Sequence, residues 1–265
     1  MVELFSNGDT LSQAYHDSLN LLNIFGDEAD CADWGQRQKE CSMTMVVNNP
    51  LQEPMISKLF IGGPRELEQY RQEMLDGILD FEVEKGNWAY TYHDRIVNYY
   101  VDNCEKFPDS HSLNQIDFVI EDLKRNPSSR RAVILVRDPS EDAFSEDPAC
   151  LQHIQYFIRD NKLHCKVLFR SNDACKAAFM NAFALIKMQE RIADALGVEM
   201  GTYTHRANSY HCYEKDFELL EGYCERIINE NLEALTYEYE GDWKELMEEY
   251  QPEIKKIVEE LKNRG

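Results

Sequence analysis

One stretch leaves this chain little freedom in how it folds. Residues 176–196 carry Ala177, Ala178, Phe179, Met180, Phe183, Leu185, Ile186, Ile192 and Leu196, apolar almost all the way round a helix of that length. Such a helix has no face to give to water, so it must lie inside the protein with other elements wrapped around it. Gly197 is its natural stop. Asn181 interrupts the apolar run, in Phe179-Met180-Asn181-Ala182-Phe183. A buried carboxamide left unpaired costs about 1–3 kcal/mol, so Asn181 needs partners. A backbone carbonyl is the plainer partner; the edge of a nucleobase is the functional one.

The remaining pattern supplies the wrapping. Leu11, Tyr15, Leu19 and Leu22 predict an amphipathic helix over 10–24, and Cys41 to Val47 reads as a strand stopped by Asn48-Asn49-Pro50. Gly62-Gly63-Pro64 is a turn that opens a helix running to about Leu79, with Leu67, Tyr70, Met74, Leu75 and Ile78 on its apolar face. A second amphipathic helix spans 112–125 (Leu113, Ile116, Val119, Ile120, Leu123) and stops at Asn126-Pro127. Ala132 to Val136 is a continuous apolar run, as a buried strand requires. Residues 151–159 and 163–169 flank Asp160-Asn161-Lys162 and predict a hairpin. A strand at 202–209, a helix from about Lys215 and a solvated acidic helical segment from Asp242 to Lys262 complete the chain. No repeat, low-complexity segment or linker divides it, so residues 1–265 are expected to form a single domain. Strands and helices mix without a βαβ rhythm, which points to an α+β fold, a mixed sheet packed by helices.

Charge narrows the function. Lys and Arg total 28 against 49 Asp and Glu, a formal charge of −21. Such a surface repels a nucleic-acid backbone, and a small anionic substrate requires arginines gathered locally. No apolar run reaches the roughly 18–20 residues needed to cross a bilayer, and Met1 to Phe5 lacks the layout of a signal peptide. The eight cysteines (31, 41, 104, 150, 165, 175, 212, 224) are scattered without a C-x-x-C pair. That pattern suggests neither zinc nor a redox motif, and no metal is expected. Reduced, mostly buried thiols in the cytoplasm are the expectation.

Arginines do gather. Arg170-Ser171-Asn172-Asp173 falls where a strand is expected to give way to the buried helix, and such a run can cradle an anion. A helix cap plus a salt bridge explains it as well. Arg130 and Arg131 open the apolar strand at 132, and adjacent arginines on a strand point to opposite faces, so one needs a partner in or near the core. Cys150, in Asp147-Pro148-Ala149-Cys150, lies in a loop before a strand, where a nearby arginine would favour the thiolate. Taken alone, an incidental cysteine is the commoner explanation. His211 and Tyr213 share a face if their strand extends that far, and a satisfied core pair is the plainer reading. Glu66, in the first turn after Pro64-Arg65, suits the helix dipole.

Together these segments resemble one family, the thymidylate synthases and their pyrimidine hydroxymethylase relatives, and look most like its compact archaeal-type members. The shared order is a cysteine loop (Cys150), an Arg-Ser-x-Asp run (Arg170, Ser171, Asp173), a base-reading Asn eight residues on (Asn181) and a His-x-Tyr (His211, Tyr213). Tandem arginines stand upstream, and Glu66-Leu67-Glu68-Gln69-Tyr70 is similar to the family's Glu-Leu-x-x-aromatic helix. The resemblance is specific over about 126–217. It implies a homodimer built through the sheet, with arginines lent across the interface. Cys150 would attack C6 of a pyrimidine 5′-monophosphate, and C5 would then take a one-carbon unit from 5,10-methylene-tetrahydrofolate or methylene-tetrahydromethanopterin. Arg170, Ser171 and the partner subunit's Arg130 and Arg131 would hold the phosphate, with Arg37 as a further phosphate arginine. His211 and Tyr213 would hold the sugar, Asp173 would face the pterin, and Glu66 would order water and proton transfer. Tyr92 is a further site residue, with Tyr90 competing for its place. Asn181 would donate to uracil O4 and accept from N3–H, whereas cytosine-using relatives commonly carry Asp there.

Four departures bear on the cosubstrate side: Leu151 after the cysteine, Cys175 to Met180 in place of Phe-Leu-Gly-Leu-Pro-Phe, Gln69 in place of an aromatic, and an end without the usual apolar tail. Three functions therefore stand at this stage: a deoxyuridylate-methylating synthase, a hydroxymethylase in which water finishes the reaction, and a catalytically silent nucleotide-binding homologue.

Overall fold

The structure, a computed structural model, describes residues 1–32, 35–101 and 111–263; Cys104 and the last two residues lie outside them. The first half runs β1 (Glu3–Gly8), α1 (Leu11–Phe25), β2 (Asp27–Cys31), β3 (Gln36–Val47), β4 (Ile56–Ser57), α2 (Pro64–Asp76), α3 (Phe81–Glu84), α4 (Tyr92–Val97), β5 (Tyr99–Val101) and β6 (His111–Leu113). Then come α5 (Gln115–Arg125), β7 (Val133–Leu135), α6 (Pro139–Asp142), β8 (Leu151–Arg159), β9 (Lys162–Asp173) and α7 (Ala178–Leu196). The chain closes with β10 (Glu199–Tyr213), α8 (Phe217–Asn229), β11 (Thr236–Tyr237) and α9 (Lys244–Asn263).

Seven strands make one mixed sheet in the order β1-β3-β10-β9-β8-β7, with β2 added on β3. Two neighbours are parallel, β1 with β3 and β9 with β10. A parallel neighbour needs a crossover, and α1 and α7 lie within those two connections. The chain therefore contains two crossover units that its mixed order did not suggest, inside an α+β sheet. The hairpin between β8 and β9 turns on Asp160 and Asn161, at φ 52° and 58°, the left-handed pair that a two-residue turn demands. Lys162 already belongs to β9.

The apolar helix takes the place its composition requires. Phe179, Phe183, Leu185 and Ile186 on α7 are at most 1% exposed. The helix lies on β9 and β10 and is met by α1, α2 and α5. Local signals set the other helices. Thr10 and Gln13 close a capping box on α1. Pro64 starts α2, and Gly77 at φ 62° stops it, so Ile78 and Leu79 fall outside the helix. Leu79 instead packs with Ile254 and Val258 of α9 in a small satellite core.

Two expectations need correction. Leu113 belongs to β6, because Asn114 caps α5 by accepting from the Ile116 and Asp117 N–H groups. Ala132 to Val136 is not buried on both faces. Ala132, Ile134 and Val136 are fully buried while Leu135 is 50% exposed, because β7 is an edge strand covered on one side only. Arg130 and Arg131 precede β7 and are themselves exposed, and Arg131 has the expected partner at the edge of the core, the buried Asp122 carboxylate at 3.6 Å. On the outer face of the sheet, Phe5 stands 60% exposed on the opposite edge strand.

Candidate active site

The site forms where β8, β9 and β10 end together. The paired strands β9 and β10 keep one register there, with Ser171 opposite Ser209 and Asp173 opposite His211. Along both, the buried positions change parity together, from Phe169 to Asn172 on one and from Ala207 to Tyr210 on the other. Irregular pairing with β3 between Ala207 and Tyr210, and between Leu151 and His153 on β8, accompanies the change. Such bulges re-aim side chains, and here they leave Arg170 and Ser171 adjacent and partly accessible. The Arg-Ser-Asn-Asp run thus ends the strand itself and does not lie beyond it.

Arg170 holds the cysteine loop. Its Nη2 donates to the Pro148 carbonyl at 2.6 Å, Nε to Ala149 at 3.2 Å and Nη1 to Ser171 Oγ at 3.4 Å. Its backbone N–H also donates to the Cys150 carbonyl at 2.8 Å. Cys150 is half-buried, with Sγ 3.5 Å from Ser171 Oγ. The Tyr92 hydroxyl accepts from the Leu151 N–H at 3.4 Å. Burial and the neighbouring Cys150 thiol push the Tyr92 phenol far above its ordinary value, so it stays protonated.

Asn181 finds side-chain partners. Its Oδ1 accepts from the Tyr70 hydroxyl on α2, and its Nδ2 donates to Asn172 Oδ1 at 3.2 Å. His211 and Tyr213 share a face with ring centroids 4.8 Å apart. Desolvation lowers the His211 pKa, against the opposing pull of Asp173. Asp173 Oδ1 accepts from the N–H groups of Cys175 and Lys176 at 3.0 and 2.9 Å, so it caps the turn into α7.

Other candidates stand apart. Glu66 folds back on its helix start, accepting from the Gly63 N–H at 2.9 Å and pairing with Arg65 at 3.1 Å. Burial raises its pKa, but the backbone N–H groups and Arg65 outweigh it and hold the carboxyl below its ordinary value. Glu66 stands one turn before Tyr70, on the same side of α2. Arg37 pairs with Glu28 at 2.6 Å, next to Gln38, which pairs with Tyr213. Arg130 and Arg131 are not brought to Cys150 within the one chain.

A cavity of about 510 Å³ lies beside these groups, walled by Tyr70, Trp88, Tyr90, Tyr92, Met74 and Glu73. Burial raises the Glu73 pKa, against a 2.9 Å hydrogen bond from Gln69. Sequence reasoning missed Trp88 and Glu73. Glu73 lies one turn after Gln69, the position already singled out as unusual. Among the described residues no three His, Cys, Asp or Glu side chains gather as for a metal ion, and no helix is long and apolar enough to cross a membrane.

The model of the thymidylate synthase family matches residues 64–259, well over half of the chain and all of this site except Arg37. The chain belongs to the thymidylate synthase family. A Methanocaldococcus jannaschii protein named "Putative thymidylate synthase" is 37% identical over 199 residues, covering 72% of this chain and 83% of that one. The Bacillus atrophaeus thymidylate synthase is 34% identical over 115 residues, 43% of this chain and 50% of its own. The solved thermostable thymidylate synthase A of Bacillus subtilis superposes with a TM-score of 0.64 over 82% of this chain and 84% of its own, at 18% identity. The thymidylate synthase fold is therefore shared beyond the reach of sequence identity.

Proposed function

We propose that this protein is a thymidylate synthase that converts deoxyuridylate to thymidylate in the cytoplasm. Its one-carbon and hydride donor would be 5,10-methylene-tetrahydrofolate or methylene-tetrahydromethanopterin. The observation that carries the reading is the loop of Cys150, gripped through three backbone carbonyls by Arg170 and opening beside Ser171 and an aromatic cavity. In this reading the Cys150 thiolate adds to C6 of the pyrimidine and C5 becomes the nucleophile. Arg170 and Ser171 face the phosphate, and His211 with Tyr213 faces the sugar hydroxyl. Asn181 keeps one lone pair and one N–H for the base edge.

The residues present suit a reduced pterin. Tyr and Trp rings offer flat apolar walls, the cavity has the volume of small-molecule sites, and Glu73 is a desolvated acceptor for amino and amide N–H groups. The donor supplies carbon and hydride; the chain supplies orientation and exclusion of water. Asp173 would reach the pterin with the carboxylate oxygen left over from its cap. Glu66 would order proton transfer only by releasing Gly63.

The reading includes a homodimer through the outer sheet face. Phe5 and Leu135 lie exposed on the two edge strands, and the exposed Arg130 and Arg131, just before β7, would serve the partner's phosphate. Arg37 would join them by leaving Glu28.

The decisive experiment incubates the protein with deoxyuridylate and each donor, and weighs both products. Thymidylate with the oxidised dihydro pterin supports the proposal. A hydroxymethyl nucleotide with the tetrahydro pterin overturns it in favour of water capture. Nucleotide binding that Cys150→Ala leaves intact, with no turnover by the parent enzyme, would mean a silent homologue.

A further inference from the structure

Beyond Asn181 the hydrogen bonds continue into the core through side chains that no step above uses. Asn172, which accepts from Asn181, donates through Nδ2 to His205 Nε2 at 2.8 Å, and His205 Nδ1 meets the Tyr203 hydroxyl at 2.9 Å. The three are 4%, 1% and 0% exposed. The imidazole lies flat on Phe169, centroids 4.7 Å apart at 16°. Burial drives its pKa down to about 3, so it is neutral.

Neutral groups of this kind impose an order on one another. A carboxamide accepts at one end and donates at the other, and a neutral imidazole has one bare nitrogen and one N–H. With Asn181 Nδ2 donating to Asn172 Oδ1, Asn172 can only donate onward. His205 Nε2 must then be bare, and its proton sits on Nδ1, facing Tyr203. On its other side Asn181 Oδ1 takes the Tyr70 proton. Turning the Asn181 amide alone by half a rotation would set oxygen against oxygen at Asn172, whereas the Tyr70 hydroxyl can turn to accept. The constraint therefore lies on the Asn172 side, where Asn172 and the His205 proton would have to reverse as well. Such a misplaced buried pair costs about 1–3 kcal/mol for each group left unmatched.

This order matters because the two classes of pyrimidine present opposite edges. A 4-oxo base offers an acceptor at O4 and a donor at N3; a 4-amino base offers a donor at N4 and an acceptor at N3. A freely turning asparagine serves both. We propose that the Asn172–His205–Tyr203 chain locks the Asn181 carboxamide in one orientation and so makes the site choose between 4-oxo and 4-amino pyrimidine nucleotides. The inference rests on the proposed reading that Asn181 meets the base. Asn172 and His205 are positioning residues, since neither touches the nucleotide. A cluster that merely satisfied itself would not need His205, because a phenylalanine would stack on Phe169 equally well.

The test is the dissociation constants of deoxyuridylate and deoxycytidylate, measured by calorimetry without a pterin, for the full chain and three variants. If the parent binds neither nucleotide, the proposed function fails before the inference is reached. If the parent binds both equally, the inference is overturned. With a parent preference in hand, Asn172→Leu and His205→Phe should each shrink the ratio of the two constants about five- to tenfold. Asn172→Asp can only accept, so it keeps Asn181 as it stands and should retain the preference. A parallel weakening of both nucleotides, or loss of preference in Asn172→Asp as complete as in Asn172→Leu, would sink the proposal. His205→Phe keeps the stacked ring and guards against a variant that simply fails to fold.

Discussion

The smallest decisive object in this molecule is the Arg170 guanidinium. Its planar fork reaches two carbonyls and a hydroxyl at once, a geometry that a lysine ammonium cannot reproduce. Arg170→Lys should therefore loosen the Cys150 loop as well as weaken phosphate binding. We expect kcat/KM to fall by about a hundredfold or more, the loss of one or two charge-assisted hydrogen bonds. The check that separates the two effects is the rate of Cys150 alkylation without nucleotide, which should change in the same variant; an unaltered rate would assign Arg170 to phosphate alone. At this scale the sequence was most legible where a residue type has few uses. A lone loop cysteine, an Arg-Ser pair and an asparagine inside an apolar helix all mark the same corner. Asn172 and His205 were illegible as a pair because His205 faces inward by the regular alternation of β10 whereas Asn172 does so only through the parity change in β9, and that irregularity has no local signature. Glu66 shows the opposite difficulty: its capping role is written in the turn before it, whereas any catalytic role depends on a rearrangement.

At the scale of elements, α4 and β7 hang on one buried ion pair. Arg95 on α4 meets Asp142 at 3.2 Å and donates to the Val136 carbonyl at 3.1 Å, while Gln115 ties the Arg95 and Leu135 carbonyls together. Removing one partner of such a pair strands the other. Asp142→Ala should cost about 3–5 kcal/mol in urea unfolding, and a loss below 1 kcal/mol would show that Arg95 finds water instead. Because α4 begins at Tyr92, the same variant should disturb the Cys150 loop. The helices themselves were legible from apolar spacing, and their ends from Thr10, Pro64 and Gly77. Edge exposure of β7 was not, since a run of five apolar residues reads the same whether one or both faces are covered.

For the molecule as a whole, acid is the informative perturbation. Burial lowers the His16 pKa to about 4 and the His205 pKa to about 3. Both histidines bind a proton in the unfolded chain at an ordinary value near 6.5 but stay neutral when folded, so the unfolded state gains protons first as pH drops. Their penalty is absent above pH 6.5 and grows down to about pH 4, reaching roughly 2–3 kcal/mol each. The urea midpoint should decline between pH 6.5 and 4.5, and His205→Phe should flatten that decline; an identical slope in both proteins would contradict the assignment. Quaternary structure has its own test. Leu135→Glu should convert a sedimenting dimer to monomer and silence it, and mixing Arg131→Ala with Cys150→Ala chains should restore activity through hybrid dimers. Neither variant recovering would remove the shared-arginine reading.

The parallel seam between β9 and β10 has a further consequence, in the order of events during folding. Ser171 and Ser209, or Asp173 and His211, face each other only after α7 has crossed over and docked, so the site is assembled from segments that meet late. A chain still missing β10 carries Cys150 and Arg170 but lacks His211, Tyr213 and the His205–Tyr203 end of the hydrogen-bond chain from Asn181. In refolding, nucleotide binding should thus return together with the last tertiary signal and never ahead of it, making the ligand a reporter of the completed sheet.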